Sequence, residues 1–111
     1  MIRRILAAAL AVGLMSSAAM AADLSLLKVF PNPARVNRGD HQINFANIAG
    51  GDLKIYNAAG RLVLDKSIDA SVTNFPWDLK NNDGFDCSSG IYVYFLKSGG
   101  DERTGKVGII R

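Results

Sequence analysis

Apolar positions in the second half of the chain fall into three runs separated by turn-rich gaps. Phe75, Trp77 and Leu79 alternate with other residues, Ile91 to Leu96 is a β-branched and aromatic run, and Val107 to Ile110 closes the sequence. Short runs of this kind, bounded by Gly, Asn and Asp, predict strands. Pro76 cannot donate to a ladder, so the stretch from Phe75 to Leu79 is expected to be an edge strand or a strand start. Ile91 to Lys97 is apolar on both faces, as a central strand is. Tyr92 and Tyr94 share one of those faces, expected to be half-buried with wet hydroxyls, and Ile91, Val93 and Phe95 share the other. Trp77 is expected to be buried against the Ile91–Phe95 face. Ser98-Gly99-Gly100-Asp101 predicts a hairpin turn, from which Glu102 to Arg111 returns.

The same pattern continues upstream. Asp23 to Phe30 predicts a first strand, ended by Pro31-Asn32-Pro33, where two prolines forbid pairing and fix a turn. Ala34 to His41 is polar and predicts a loop. Gln42 to Ile48 alternates, with Ile43 and Phe45 on one face, until Gly50-Gly51 breaks it. Leu53 to Tyr56 and Arg61 to Lys66 form a hairpin around Asn57-Ala58-Ala59-Gly60, with Leu62 and Leu64 on one side. Asn at the start and Gly at the end suit a type I turn with Gly60 in the left-handed region. Ser67 to Val72 predicts a connection between sheets. The sum is about seven short strands and no amphipathic helix. Two packed antiparallel sheets are the natural outcome.

The beginning of the chain changes the compartment. Met1-Ile2-Arg3-Arg4 is a basic n-region, Ile5 to Met15 is an apolar h-region, and Ala19-Met20-Ala21 has small residues where a signal peptidase reads. Residues 1–21 are therefore expected to be a cleaved signal peptide, leaving one domain over residues 22–111. No Cys follows the h-region, so a lipoprotein anchor is not expected. Loss of Arg3 and Arg4 leaves 11 of the 13 Lys and Arg against 10 Asp and Glu, a charge of about +1. The remaining basic residues are scattered singly. Nucleic acid is therefore not an expected partner.

The chemistry-bearing residues are few. Cys87 is the one cysteine, so no internal disulfide forms and the core must hold the fold unaided. Asp83 and Asp86 nearby disfavour a thiolate, which leaves packing as the expected role of Cys87. His41, the one histidine, has no second ligand or nucleophile at a recognisable spacing, so it is expected to be a solvated loop residue. Arg38-Gly39-Asp40 matches an adhesive tripeptide, but Gly-Asp before a strand is ordinary turn chemistry. Asp78, Asn81, Asn82, Asp83 and Asp86 resemble an oxygen cluster for Ca²⁺. The EF-hand spacing fails, however, and these residues are expected to cap their own backbone, with Asp83-Gly84 the tight bend. No catalytic residues, cofactor or metal are expected.

Several fragments recur in a known order. They are Phe30-Pro31-Asn32-Pro33, the stretch Leu53-Lys54-Ile55-Tyr56-Asn57-Ala58-Ala59-Gly60-Arg61-Leu62-Val63, then Trp77-Asp78, Asn82-Asp83-Gly84, Ser89-Gly90-Ile91-Tyr92-Val93-Tyr94, and Lys106-Val107-Gly108-Ile109-Ile110-Arg111. This order resembles the FlgD/Vpr immunoglobulin-like domain and, more closely, the type A C-terminal sorting domains of the type IX secretion system. Cys87 stands where that pattern tends to have an aliphatic residue. The resemblance implies an all-β, seven-stranded antiparallel immunoglobulin/fibronectin-like β-sandwich. It implies a non-enzymatic secretion and cell-surface sorting module, served by the outer-membrane type IX machinery. The chain would pass from the periplasm to the outer surface or the medium, meeting the inner membrane only transiently through its signal peptide. Lys106 and Arg111 are the expected recognition residues. Trp77, Gly60, Gly84, Gly90 and Tyr92 are the expected structural ones. The alternative is a small secreted structural or binding module that engages a surface polymer or a protein through an exposed sheet face or edge.

Overall fold

The computed structural model of the chain describes residues 24–111. The signal peptide expected at residues 1–21 and the first residue of the expected opening strand, Asp23, lie outside them. Eight strands run through the described residues, one more than the pattern predicts: β1 (Lys28–Phe30), β2 (Ala34–Arg35), β3 (Ile43–Ala46), β4 (Gly51–Tyr56), β5 (Leu62–Ile68), β6 (Asn74–Trp77), β7 (Gly90–Ser98) and β8 (Asp101–Ile110). They form a three-stranded sheet in the order β1-β3-β6 and a five-stranded sheet in the order β2-β8-β7-β4-β5. All pairings are antiparallel except one: β2 runs parallel to β8, with Ala34 opposite Ile109. The larger sheet is thus mixed at its edge rather than wholly antiparallel.

The extra strand sits where a loop was expected. Ala34 is fully buried, and Val36–Arg38 after it is a short 3-10 turn. Leu24–Leu26 is another such turn, so the first strand begins only at Lys28. The stretch after Lys66 divides differently as well: β5 continues to Ile68, and a turn closed by the Val72 N–H on the Asp69 carbonyl follows.

The two sheets face each other through aromatic pairs. Phe45 of β3 meets Tyr94 of β7 edge-on, centroids 5.2 Å apart, and Trp77 of β6 meets Tyr92 at 5.9 Å. Such geometry matches the positive ring edge to the negative face. Trp77 is buried as expected, but against the opposite face of β7: Tyr92, Tyr94, Leu96 and Ser98 point inward, while Ile91 and Phe95 are exposed. The tyrosines are not half-wet. Tyr92 donates its buried hydroxyl to the Ser88 carbonyl at 2.7 Å. Gly105, opposite Tyr94 in the ladder, makes room for that ring, since a Cβ there would lie 2.5 Å from the phenol oxygen. Leu53 and Ile55 of β4, Ile43 of β3, and Val107 and Ile109 of β8 complete the core.

The β4–β5 hairpin is present, with a bulge that shifts the register between Ile55 and Tyr56. That shift separates the two leucines expected together: Leu64 is buried and Leu62 is exposed. In the turn, the Gly60 N–H donates to the Asn57 carbonyl, and Gly60 has φ of 83°. The Asn57 side-chain oxygen accepts from the N–H groups of Ala59 and Arg61. Asn81 to Phe85 repeats the arrangement. Asn81 accepts from Asp83 and Phe85 through its side chain and from Gly84 through its carbonyl, with Gly84 at φ of 85°. Two stretches that share only Asn and Gly, three residues apart, therefore fold into one turn chemistry.

Candidate recognition site

With the tyrosines inward, the other face of β7 looks out to solvent. Ladder register arranges it in rows. Tyr56, Val93 and Lys106 form one row, Lys54, Phe95 and Thr104 the next, and Asp52, Lys97 and Glu102 the third. Tyr56 and Phe95 meet edge-on at 5.5 Å. A groove of about 790 Å³ runs over these rows. A second hollow, lined by Pro33, Ile91, Lys106 and Ile110, continues it toward the end of β8. Tyr56, Ile91, Val93 and Phe95 thus make a contiguous apolar strip, and such strips mark interaction surfaces more often than isolated exposed side chains do.

Lys106 lies on this strip and is exposed. Lys54 has Asp65 opposite it, and Lys97 has Asp52 and Glu102 on its two sides. Lys106 has Val93 opposite it, and no ion pair among the described residues includes it. It is a lone cation beside apolar side chains.

Arg111 has a different environment. Rather than projecting as a free end, it folds back on the loop between β6 and β7. Its Nε donates to the Cys87 carbonyl at 2.6 Å, and its backbone N–H donates to the Ser89 hydroxyl at 2.9 Å. One terminal nitrogen lies 3.5 Å from the Leu79 carbonyl and 3.8 Å from the Asp86 carboxylate. That carboxylate also takes the Lys80 ammonium at 2.9 Å. The Lys80 partner first, and Arg111 after it, hold the Asp86 acid below the usual carboxylate range. The structure therefore separates the two expected recognition residues: Lys106 is unpaired on the sheet face, and Arg111 fastens the end of β8.

The remaining candidates fall into place beside them. Gly90 opens β7 opposite Ile109. Cys87 is buried, and burial pushes its thiol above the ordinary range despite the nearby Arg111. In the Asp78–Asp86 stretch, Asp78 accepts from the Lys80 N–H, Asn81 from the Asp83 and Phe85 N–H groups, Asn82 from the Asp65 N–H, and Asp86 pairs with Lys80. Asp40 of the Arg-Gly-Asp tripeptide accepts from the Arg35 N–H at 2.8 Å and so closes its own loop. His41 is exposed, and no group of residues suited to a metal occurs among the described residues.

The pattern of the sequence missed Asn32. Its side chain donates to the Lys106 carbonyl at 2.9 Å and accepts from the Gly108 N–H at 3.0 Å. Pro33 beside it lies over Gly108, where a Cβ would come 3.3 Å from the proline ring. Phe30-Pro31-Asn32-Pro33 is thus a strap across the outer edge of β8, and both of its proline bonds are cis. The two prolines were legible as a turn. The target of the asparagine, more than seventy residues away, was not.

Fold and surface together define a small two-sheet β domain that presents a grooved sheet face, with its last strand fastened at both edges. The chain belongs to the secretion system C-terminal sorting domain family, which it matches over residues 28–110. No curated protein matches it. Among solved structures it is similar to PorZ of Porphyromonas gingivalis, described as an essential bacterial surface component of the type-IX secretion system. The identity is 24%, the TM-score 0.64, and the match covers 81% of this chain and 12% of that one. It is also similar to dimeric latent PorU of the same organism, at 24% identity and a TM-score of 0.50, over 76% of this chain and 9% of that one. At this identity the likeness shows a shared fold. The chain spans only a small part of either protein. A sorting domain implies an exported protein, and no helix among the described residues is long and apolar enough to cross a membrane.

Proposed function

We propose that the chain is a non-enzymatic secretion and cell-surface sorting module, exported behind its leader and carried across the outer membrane by type IX machinery. The observation that carries this is the family match, which takes in nearly every described residue. An immunoglobulin-like sandwich is the fold type that suits both the two facing sheets and the resemblance.

The layout of β8 supports the role. The Leu24 N–H is bound to the Asp101 carboxylate at the start of β8, and Arg111 follows its last residue. Ten residues of strand separate these points by roughly 30 Å. A cargo joined ahead of Leu24 would hang from one end and leave Lys106 and the Pro33–Ile91 hollow clear at the other. Lys106, unpaired, is the residue we assign to recognition. Charge complementarity selects a partner more than it adds affinity.

The test attaches a fluorescent cargo between Ala22 and Leu24 in a host with type IX secretion. The wild-type chain is expected to take the cargo to the surface or medium, and Lys106→Ala to leave folded cargo in the periplasm. If the wild-type cargo also stays in the periplasm, sorting is refuted. The exposed strip of Ile91 and Phe95 then favours the second reading, a small binding module.

A further inference from the structure

The outer face of the five-stranded sheet has a symmetry of its own. Phe95, 47% exposed, stands opposite Thr104 at the centre of the grooved rows. One row toward the β7–β8 turn, Lys97 stands opposite Glu102. One row the other way, Val93 stands opposite Lys106. Glu102 and Lys106 are thus the same distance from the Phe95 row, on the same strand and face, with opposite charge. Neither has an ion-pair partner among the described residues.

We infer that this face binds a second copy of the chain. A two-fold axis lying in the interface, perpendicular to the strands and through the Phe95–Thr104 row, stacks one face on the other with the strands antiparallel. It places Phe95 against Phe95 of the partner subunit. It places Glu102 against Lys106 of the partner subunit, and the operation repeats that contact on the other side, as an isologous interface requires. Phe95 and Thr104 fill the centre, and Tyr56 and Val93 lie over Asp52 and Lys97 of the partner subunit. Lys54 meets Lys54 of the partner subunit at the axis, and Asp65, opposite Lys54 on β5 in each copy, offsets the like charges.

The area sets the strength. Four strands about 4.8 Å apart and three rows about 7 Å apart give a footprint of roughly 400 Å² per copy. A stable complex buries about 800 Å² per partner, so this contact is a weak dimer that forms at high local concentration. The inference goes beyond sorting and does not rest on it.

Sedimentation velocity of the exported chain, from about 10 μM to about 1 mM, covers the range such a contact requires. The weight-average coefficient is expected to rise with concentration toward that of a dimer. Lys106→Glu is expected to weaken association at least about tenfold, because it sets like charges face to face twice. Phe95→Lys is expected to abolish it. The reciprocal swap, Glu102→Lys with Lys106→Glu, is expected to restore association to within about threefold of wild type, since the two-fold contact then reforms with its charges exchanged. Thermal melts of each variant confirm that the fold is retained. A wild-type chain that stays monomeric throughout overturns the inference and leaves the face to a different partner. Association that persists in Phe95→Lys, or a swap that does not recover, overturns it as well.

Discussion

The side chain of Asn32 occupies a rung of a ladder to which its own backbone does not belong. Its amide donates to the Lys106 carbonyl and its oxygen accepts from the Gly108 N–H, so it covers β8 just where β2 has not yet begun. The opposite edge of the same sheet is treated alike. The Asn82 N–H donates to the Val63 carbonyl, and its side-chain oxygen accepts from the Asp65 N–H. Exposed sheet edges invite pairing with other chains, and an asparagine that satisfies an alternate pair of backbone groups blocks a stranger there. Asn32→Ala is expected to cost about 1–2 kcal/mol, since two neutral hydrogen bonds are lost. It should also raise aggregation during refolding. A urea midpoint equal to wild type would refute the bracing role.

The inter-sheet aromatic pairs give the largest single effects. Trp77 is buried, rests on Tyr92 and donates its indole N–H to the Lys80 carbonyl. Trp77→Ala is expected to cost about 3–5 kcal/mol. Tyr92→Phe removes the hydroxyl, with its bond to the Ser88 carbonyl and its contact with the Cys87 thiol, and is expected to cost about 1 kcal/mol. Urea unfolding of both variants checks the order. If Tyr92→Phe proves the more damaging, the core assignment fails.

Much of the strand pattern was legible because alternation and turn chemistry agree. The Leu53–Lys66 hairpin, the edge position of Pro76 and the central position of Ile91 to Lys97 are all observed. The inward face of β7 was not legible. A run apolar on both sides has no parity signal, and the choice is made by distant partners: Trp77, Phe45 and the space left by Gly105. Two-residue β2 carries too little pattern to read, since its burial comes from lying beside Ile109. The surroundings of the two expected recognition residues were half legible. The exposure of Lys106 follows from alternation, whereas the bonds of Arg111 run to Leu79 and Cys87, which no local pattern announces.

The two Asn-x-x-Gly turns predict a matched pair of responses. A Cβ at Gly60 or at Gly84 meets nothing within 4 Å, so only the positive φ resists substitution. Gly60→Val and Gly84→Val are each expected to cost about 1–3 kcal/mol, the strain of a β-branched residue in that region. Ala59→Val is expected to stay within about 0.5 kcal/mol, as surface changes do. Equal melting temperatures for Gly60→Val and Ala59→Val would refute the turn geometry.

Acid should loosen the start of β8. The Leu24 N–H first, and after it the Glu102 N–H and Arg103, hold the Asp101 acid below the usual carboxylate range, against an opposing effect of burial second only to that of Leu24. A carboxyl group whose folded value is depressed contributes stability that is present above its unfolded value, about 3.9, and lost as pH falls through the folded one. The urea midpoint of wild type is therefore expected to fall below about pH 4 more steeply than that of Asp101→Asn. Above that pH, Asp101→Asn should be the less stable of the two. Parallel pH profiles would refute the contact between Leu24 and Asp101.

Comparing Lys106 with Arg111 separates the proposed sorting role from folding. Lys106→Ala removes an exposed, unpaired ammonium and is expected to change stability by no more than about 0.5 kcal/mol. Arg111→Ala removes the guanidinium bonds to Cys87 and Leu79, and losing charge-assisted bonds of this kind costs about 1.5–3 kcal/mol. Arg111→Lys keeps the charge but not the planar fork, so it should recover only part of that loss. Sorting assayed alone would confuse the two residues, because a domain loosened at its last strand can fail for want of structure. The discriminating measurement pairs each variant's urea midpoint with the fraction of fluorescent cargo that leaves the periplasm. Lys106→Ala should lower export with an unchanged midpoint. Arg111→Ala should lower both, and its export should improve at reduced growth temperature while that of Lys106→Ala does not. Full export of the Lys106→Ala cargo would show that this ammonium is not what the machinery reads.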